Sequence, residues 1–533
     1  MGASDSEVLL KVLIHKNEER VVLAEANSAF VDILFSFLTL PMGTLVRVLA
    51  KNSEPSLPMA IGSFNSLYKS IEYLDNKYFA TEACKDLLLN ARNSAEEECQ
   101  KLKINIDGMK PYFICEGFCF SVDRKYASFS TSSTTKCQRC GKFMIAPVYM
   151  CASTNEGDKG VFVTDSASFV IQDDLKVIPS NLARTLDILK SSGITDFGVL
   201  EERILKIGSS EILYLVEKAL LSKTCLTDLV FGEKCTISPV PSTQSKSSTD
   251  SVDGFQKITV NVLVQKSNNK ILLAHSSEDF IHMLFSFLSV PLGRVIGVLS
   301  KNDGPALCVK NLHQSVSELT AGEYLISQQM KDKLINPHLA MIYQCSNQLF
   351  PLNEELIPKF YCATKILSPG RKTYYLSTVA AGVNRELKLA SPMCEGRFLK
   401  GSTKFMVTDA LVVTPLSSMS CISYLQRWKV SLCDIEEHVI DIGLEEALNL
   451  LRESLISTSV LTNGLKHLIW NKTNAERSPK KPKVAGSYEK ACWMFRIVWD
   501  IKLLCLPPVA TVFLVIGNNL PFSFGGDTTV KED

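Results

Sequence analysis

The chain is poor in the residues and patterns from which reactions are usually read. Seven histidines (His15, His275, His282, His313, His338, His438 and His467) are scattered over 533 residues with no HxxxH or HxH spacing. That excludes the common histidine metal motifs, and each reads more plainly as a surface or satisfied core group than as a base. No glycine-rich phosphate loop, Gly-x-Ser-x-Gly elbow or kinase signature set is present, so no nucleotide or acyl-transfer chemistry is announced. Charge of one sign is also missing. The 57 basic and 56 acidic side chains leave a net charge of +1, which gives no bulk attraction to nucleic acid or to an anionic membrane.

Met1 to Glu7 lacks a secretory pattern, and the longest apolar run, between Ile501 and Ile516, carries Pro507-Pro508. A spanning helix needs about 20 apolar residues, so a membrane anchor is not expected. Cysteine, by contrast, is plentiful at 17. The odd number and irregular scatter argue against a disulfide framework and for an intracellular compartment, cytoplasmic or nuclear.

The strongest feature is a repetition. Phe30-Val-Asp-Ile-Leu-Phe-Ser-Phe-Leu-Thr-Leu-Pro-Met-Gly43 returns as Phe280-Ile-His-Met-Leu-Phe-Ser-Phe-Leu-Ser-Val-Pro-Leu-Gly293. The offset of 250 holds without a gap from Val8 to Asn52, and 17 of those 45 positions are identical. An internal duplication follows. Each copy opens with two apolar runs, Val8–Ile14 and Val21–Ala24, then Ile258–Val264 and Ile271–Ala274. Polar turn formers separate the runs, which predicts a β-hairpin in each copy. Phe30, Leu34, Phe37 and Leu38, with Phe280, Leu284, Phe287 and Leu288, fall at i, i+4, i+7 and i+8, the stripe of a buried helix face rather than an aromatic binding surface. The helix should end at Pro41 and Pro291, followed by a short one to about Lys51 and Lys301. Pro41 and Gly43 need only a turn to explain them.

Further along, Val161-Phe-Val-Thr-Asp165 resembles Phe405-Met-Val-Thr-Asp409, and Glu201-Glu202, Ile207-Gly208 and Leu226-Thr227 find partners in Glu436-Glu437, Ile442-Gly443 and Leu461-Thr462. The expected fold is α+β, two tandem homologous domains of hairpin, helices, further strands and closing helices. The boundaries are 8–235 for the first and 257–468 for the second, with a Ser/Pro-rich linker at 236–256 and a divergent extension at 469–533. The linker leaves the two units free to move unless an interface pins them. Asp165 and Asp409 read as caps on turn amides before they read as catalytic acids.

One constellation carries chemistry. Cys115-x3-Cys119 is followed by Cys137-Gln-Arg-Cys140-Gly141, the trace of four thiolates around a structural Zn²⁺, in a zinc-ribbon-like segment over 112–151. The serine-rich stretch between the pairs lacks a core of its own, so a metal would supply folding free energy. Buried apolar cysteines, or a redox dithiol at Cys137 and Cys140, are the competing readings. The second copy keeps Cys362 and Cys394 but nothing like the Cys137–Cys140 pair.

Together, the opening strand with Leu23-Ala24-Glu25, the phrase around Pro41, the Cys-x2-Cys-Gly knuckle and Lys404-Phe-Met-Val-Thr-Asp409 resemble the plant proteins grouped as domain of unknown function 674. The likeness covers roughly residues 8 to 466 and leaves the tail after Trp470 outside. It implies a plant origin, frequent duplication and no established activity. The preferred reading is a non-catalytic interaction protein with a structural zinc ribbon and a protein partner. The alternatives are a small-molecule binder or enzyme between the repeats using Asp165 and Asp409, or nucleic-acid binding through the ribbon, whose basic flank is Lys101, Lys103, Arg124, Lys125, Lys136, Arg139 and Lys142.

Overall fold

The computed structural model describes residues 6–52, 61–117, 119, 128–150, 160–232, 256–300, 307–343, 349–350, 359–368, 371–377, 385–393 and 396–477. Most of the linker, Cys151, Cys394, the basic cluster beyond Arg477 and the apolar run at 501–516 lie outside them. Among the described residues no helix is long and apolar enough to cross a membrane.

In the first repeat the strands are β1 (Val8–His15), β2 (Arg20–Asn27), β3 (Tyr112–Ile114), β4 (Ser128–Phe129), β5 (Ala146–Met150), β6 (Ser168–Gln172), β7 (Val177–Pro179) and β8 (Leu200–Ile207). The second repeat supplies β9 (Ile258–Gln265), β10 (Lys270–Ser276), β11 (Phe360–Ser368), β12 (Arg371–Ser377), β13 (Arg385–Leu389), β14 (Phe405–Thr408), β15 (Val413–Pro415) and β16 (Ile435–Ile442). Two five-stranded sheets match each other strand for strand, in the orders β7-β6-β2-β1-β8 and β15-β14-β10-β9-β16. Both hairpins form, and each turn contains a residue in the left-handed region, Glu19 in one and Asn269 in the other. The helices Ser28–Ser36 and Glu278–Ser286 bury Phe30 and Phe280 completely. Each such ring is worth about 2–3 kcal/mol of transfer free energy. A single 3₁₀ turn, Phe37–Thr39 or Phe287–Ser289, then leads to the proline.

Pro41 and Gly43 do more than turn the chain. Pro41 and Pro291 form an antiparallel bridge, with Met42 N–H donating to Val290 O at 3.0 Å and Leu292 N–H to Leu40 O at 2.9 Å. The phrase shared most closely by the repeats is therefore where they meet. A Cβ on Gly293 would lie 3.0 Å from Leu38 O and 2.8 Å from Leu334 O, so the absence of a side chain permits the approach.

An interface thus pins the repeats, and the helices cross over between them. Helix Phe64–Tyr73 of the first repeat serves the second sheet, where Val413 N–H donates to Ser70 Oγ at 2.9 Å. Helix Cys308–Glu318 of the second serves the first sheet, where Val177 N–H donates to Ser315 Oγ at 2.9 Å. Phe79 bridges to Leu399 and Val163 to Leu325 in the same reciprocal way. One apolar core runs through both copies, and Met1–Asn471 is one compact unit.

That reciprocity corrects the later sequence matching. Val161–Thr164 corresponds to Arg397–Lys400, and the counterpart of Asp409 is Asp173 rather than Asp165. Asp173 accepts Thr227 N–H and Oγ–H, both at 2.7 Å, and Asp409 accepts Thr462 N–H and Oγ–H at 2.8 and 3.0 Å. Each threonine hydroxyl in turn receives a strand amide, Val21 N–H or Ile271 N–H. Both acids hold the start of a distant closing helix against the hairpin rather than a local turn, whereas Asp165 accepts only the Ser28 hydroxyl at 3.0 Å among the described bonds.

The remaining strands make a sheet in the order β3-β5-β12-β11-β13-β4. Phe113 and Ser130 exchange backbone hydrogen bonds of 2.7 and 2.8 Å, which ties β4 back to β3 and closes the ring. Each repeat contributes three strands, and the junctions β5·β12 and β4·β13 are parallel. Tyr112, Ile114, Phe129, Val148, Met150, Cys362, Leu376 and Leu387 fill the interior. Alternation puts every second residue inside, so a small barrel of this size is packed rather than hollow.

Candidate metal centre

The connection from β4 to β5, residues 130–145, is the element that the first repeat adds at the barrel rim. It is a short hairpin: Lys136 bridges to Phe143, Met144 N–H donates to Thr135 O at 2.9 Å, and Cys137 N–H donates to Lys142 O at 2.7 Å. Gly141 sits at φ +70° and donates to Cys137 O at 2.9 Å. A residue with a Cβ is strained there, so the glycine after Cys140 permits the knuckle. Cys115 and Cys119 face it from the segment after β3. Cys115, Cys137 and Met144 pack with Ala390 of the second repeat, which anchors the hairpin to β13.

All four predicted ligands come together. The Sγ atoms of Cys115, Cys119, Cys137 and Cys140 lie within 4.8 Å of one another, with 3.6 Å from Cys115 to Cys119 and 3.4 Å from Cys115 to Cys140. These are free thiols, far beyond the roughly 2.05 Å of a disulfide. Tetrahedral bonds of about 2.3 Å imply sulfur–sulfur edges of about 3.8 Å, and the cluster is within an ångström of that. The four cysteines can therefore hold a metal ion.

The electrostatics agree with a cation's place. Burial and the neighbouring sulfur push Cys119 up to about 12, and burial raises Cys115. Cys140, the exposed member, is brought down to about 7 by the Lys142 N–H and then by Cys115. Packing thiols so closely stabilises one thiolate at the expense of the others, a conflict a divalent ion would relieve. Arg139 donates to Cys119 O at 3.2 Å, and Lys136 lies 5.7 Å from the Phe143 ring centre. Arg124 and Lys125 lie outside the described residues.

Among the described residues no second group of metal-ligating side chains comes together. Asp165 and Asp409 serve separate places in different sheets. His275 pairs with Glu437 at 3.1 Å, and His313 Nε2 lies 3.1 Å from Ile335 O. A cleft of about 270 Å³, lined by Met109, Lys110, Phe113, Thr131 and Ser132 among others, adjoins the barrel, at the small end of ligand sites. Its Arg92 is engaged by Glu96 and the Lys110 carbonyl, and Lys110 by Asp107 at 2.7 Å. Sequence reasoning missed the barrel and the exposure of Phe143, Ile145 and Tyr149. The alternation of Ala146, Val148 and Met150 with these was the available signal.

The family model described as "Protein of unknown function (DUF674)" matches residues 4–445. The chain belongs to that family. Short stretches are also similar to two kinases: 57% identity over 42 residues with diacylglycerol kinase 1 of Oryza sativa subsp. japonica, covering 8% of each chain, and 51% over 49 residues with diacylglycerol kinase 5 of Arabidopsis thaliana, covering 9% of this chain and 10% of that one. The chain thus spans a tenth or less of the curated relatives it matches. No solved structure matches.

Proposed function

We propose that the protein is a non-catalytic interaction protein of the cytoplasm or nucleus, in which a zinc ribbon in the first repeat shapes a binding surface. The carrying observation is the convergence of four sulfurs from two knuckles. Four thiolates favour zinc among common intracellular ions, and such a shell leaves no position for water or substrate, which suits a structural ion. The hairpin at 130–145 rests on few apolar side chains, so the ion would supply its folding free energy. The ordering of the carboxylates supports the same reading: Asp173 and Asp409 are committed to threonine caps, and Asp32 to backbone amides.

The test is elemental mass spectrometry on protein purified without added zinc, beside a Cys137→Ser, Cys140→Ser variant. About one zinc per chain is expected, lost in the variant together with protease resistance over 130–145. Metal-free wild type with an equally protected hairpin would refute the proposal.

A further inference from the structure

The outer face of the barrel beside the knuckle is unusual for a surface. Phe143 is 51% exposed, Ile145 49% and Tyr149 45%. Because Ala146, Val148 and Met150 point into the barrel, Ile145, Pro147 and Tyr149 form an outward row. The row continues sideways: Pro147 pairs with Phe113 on β3, and Tyr149 with Tyr375 on β12. Phe113 is also a wall of the 270 Å³ cleft, whose rim holds Met109 at 56% exposure. A contiguous apolar strip therefore ends in a recess large enough for one side chain. Such strips on an otherwise polar surface mark interaction sites, and Phe, Tyr, Met and Arg are the residues enriched in them.

Exposed cations flank the knuckle end of the strip. From Ser128 to Met150 the chain has Lys136, Arg139 and Lys142 and no acid. None of these three pairs with a carboxylate among the described residues. Glu116 is the acid on the facing knuckle, and a filled four-thiolate centre adds two negative charges beneath. Among the exposed groups the three cations outnumber Glu116 and the Asp86 of the cleft.

We infer that this strip and cleft dock an acidic peptide segment with bulky apolar side chains, the apolar groups lying on Phe143, Ile145 and Tyr149 with one entering the cleft, and the carboxylates meeting the lysines and Arg139. Exposed Ile145, Pro147 and Met109 favour a protein over nucleic acid, since stacking of bases uses ring faces and gains nothing from aliphatic neighbours. This rests on the reading of the chain as an interaction protein and names the partner's chemistry.

The experiment is selection of a displayed random 12-residue peptide library on the full chain, followed by fluorescence polarisation with the enriched peptide. Enrichment of sequences combining Asp or Glu with aromatic or aliphatic residues is expected. Affinity should fall tenfold or more in Phe143→Ser, Tyr149→Ser and in Lys136→Glu, Lys142→Glu, with circular dichroism unchanged because these side chains are exposed. No enrichment, enrichment without acids, or binding indifferent to both variants overturns the inference. So does tighter, steeply salt-dependent binding of a labelled single-stranded 12-nucleotide RNA that the same variants abolish, which would assign the face to nucleic acid. Zinc measured on the same preparations separates the two failures: zinc without peptide binding defeats the docking inference alone, and binding without zinc defeats the ribbon alone.

Discussion

Asp32 and His282 occupy the same position in the two repeats and do the same work with opposite chemistry. Asp32 Oδ1 accepts Phe162 N–H at 2.7 Å and Val163 N–H at 2.9 Å, and its Oδ2 accepts Val161 N–H at 2.8 Å. His282 Nδ1 accepts Phe398 N–H at 3.2 Å while its ring stacks on Phe398 at 4.6 Å. Phe162 and Phe398 are equivalent, so an acid and an imidazole each hold the same returning segment onto the same helix.

Their pH dependences oppose. Burial raises Asp32 to about 6 despite its three amides, so its folded form binds more protons than the unfolded chain from about pH 4 to 6, and its stabilisation declines as pH rises through that window. Burial lowers His282 to about 4, with Arg397 adding to the effect, so its stabilisation is present above pH 6.5 and lost as pH falls toward 4. Urea unfolding at pH 4.5 and 6.5 should show that, relative to wild type, His282→Asn shifts the slope of stability against rising pH downward and Asp32→Asn shifts it upward. Parallel curves for all three proteins would show that neither group titrates as its burial implies.

Gly293→Ala tests the contact between the repeats. Alanine ordinarily stabilises a helix by about 1 kcal/mol over glycine, yet here the new Cβ would lie 2.8 Å from Leu334 O. Overpacking should prevail, with a loss on the order of 1–3 kcal/mol. At Gly43 the nearest atoms are 3.1 Å away, so Gly43→Ala should cost less. A stabilised Gly293→Ala in thermal unfolding would contradict the close approach.

Ser70 and Ser315 test the exchange of helices. Both are buried, and each receives a strand amide from the opposite repeat. Ser315→Ala or Ser70→Ala leaves a buried N–H unpaired, at about 1–3 kcal/mol each. The two sites share no partner, so the double variant should lose nearly the sum. Losses under about 0.5 kcal/mol in denaturant titrations would mean the strands do not depend on the exchanged helices.

The parts of this architecture legible in the sequence are those encoded by neighbours along the chain. The apolar runs Val8–Ile14 and Val21–Ala24 with polar turn formers between them gave the hairpin, the Phe30 stripe gave a buried helix, and the prolines gave its end. The four cysteines were legible because their spacing is itself the signal. What stayed hidden depends on partners some 250 residues away. Ser70 and Ser315 have no pattern that announces a strand in the other repeat. Strands of two to five residues such as β4 and β5 carry too few alternating positions to declare a barrel. Asp173 was passed over because Thr164-Asp165 imitates Thr408-Asp409 by identity, whereas Asp173 is preceded by glutamine. Position 32 escaped because the copies keep the acceptor and change the residue.

The parallel junctions of the barrel have a consequence for biosynthesis. Ile114 and Leu389 belong to one ring, yet at about 5–20 residues per second the ribosome delivers the second tens of seconds after the first. Throughout that interval β3, β4 and β5 are half a barrel, helix Phe64–Tyr73 has no sheet to lie on, and the apolar faces of both stand open. A premature stop anywhere before β13 is therefore expected to yield an aggregation-prone fragment rather than a working half.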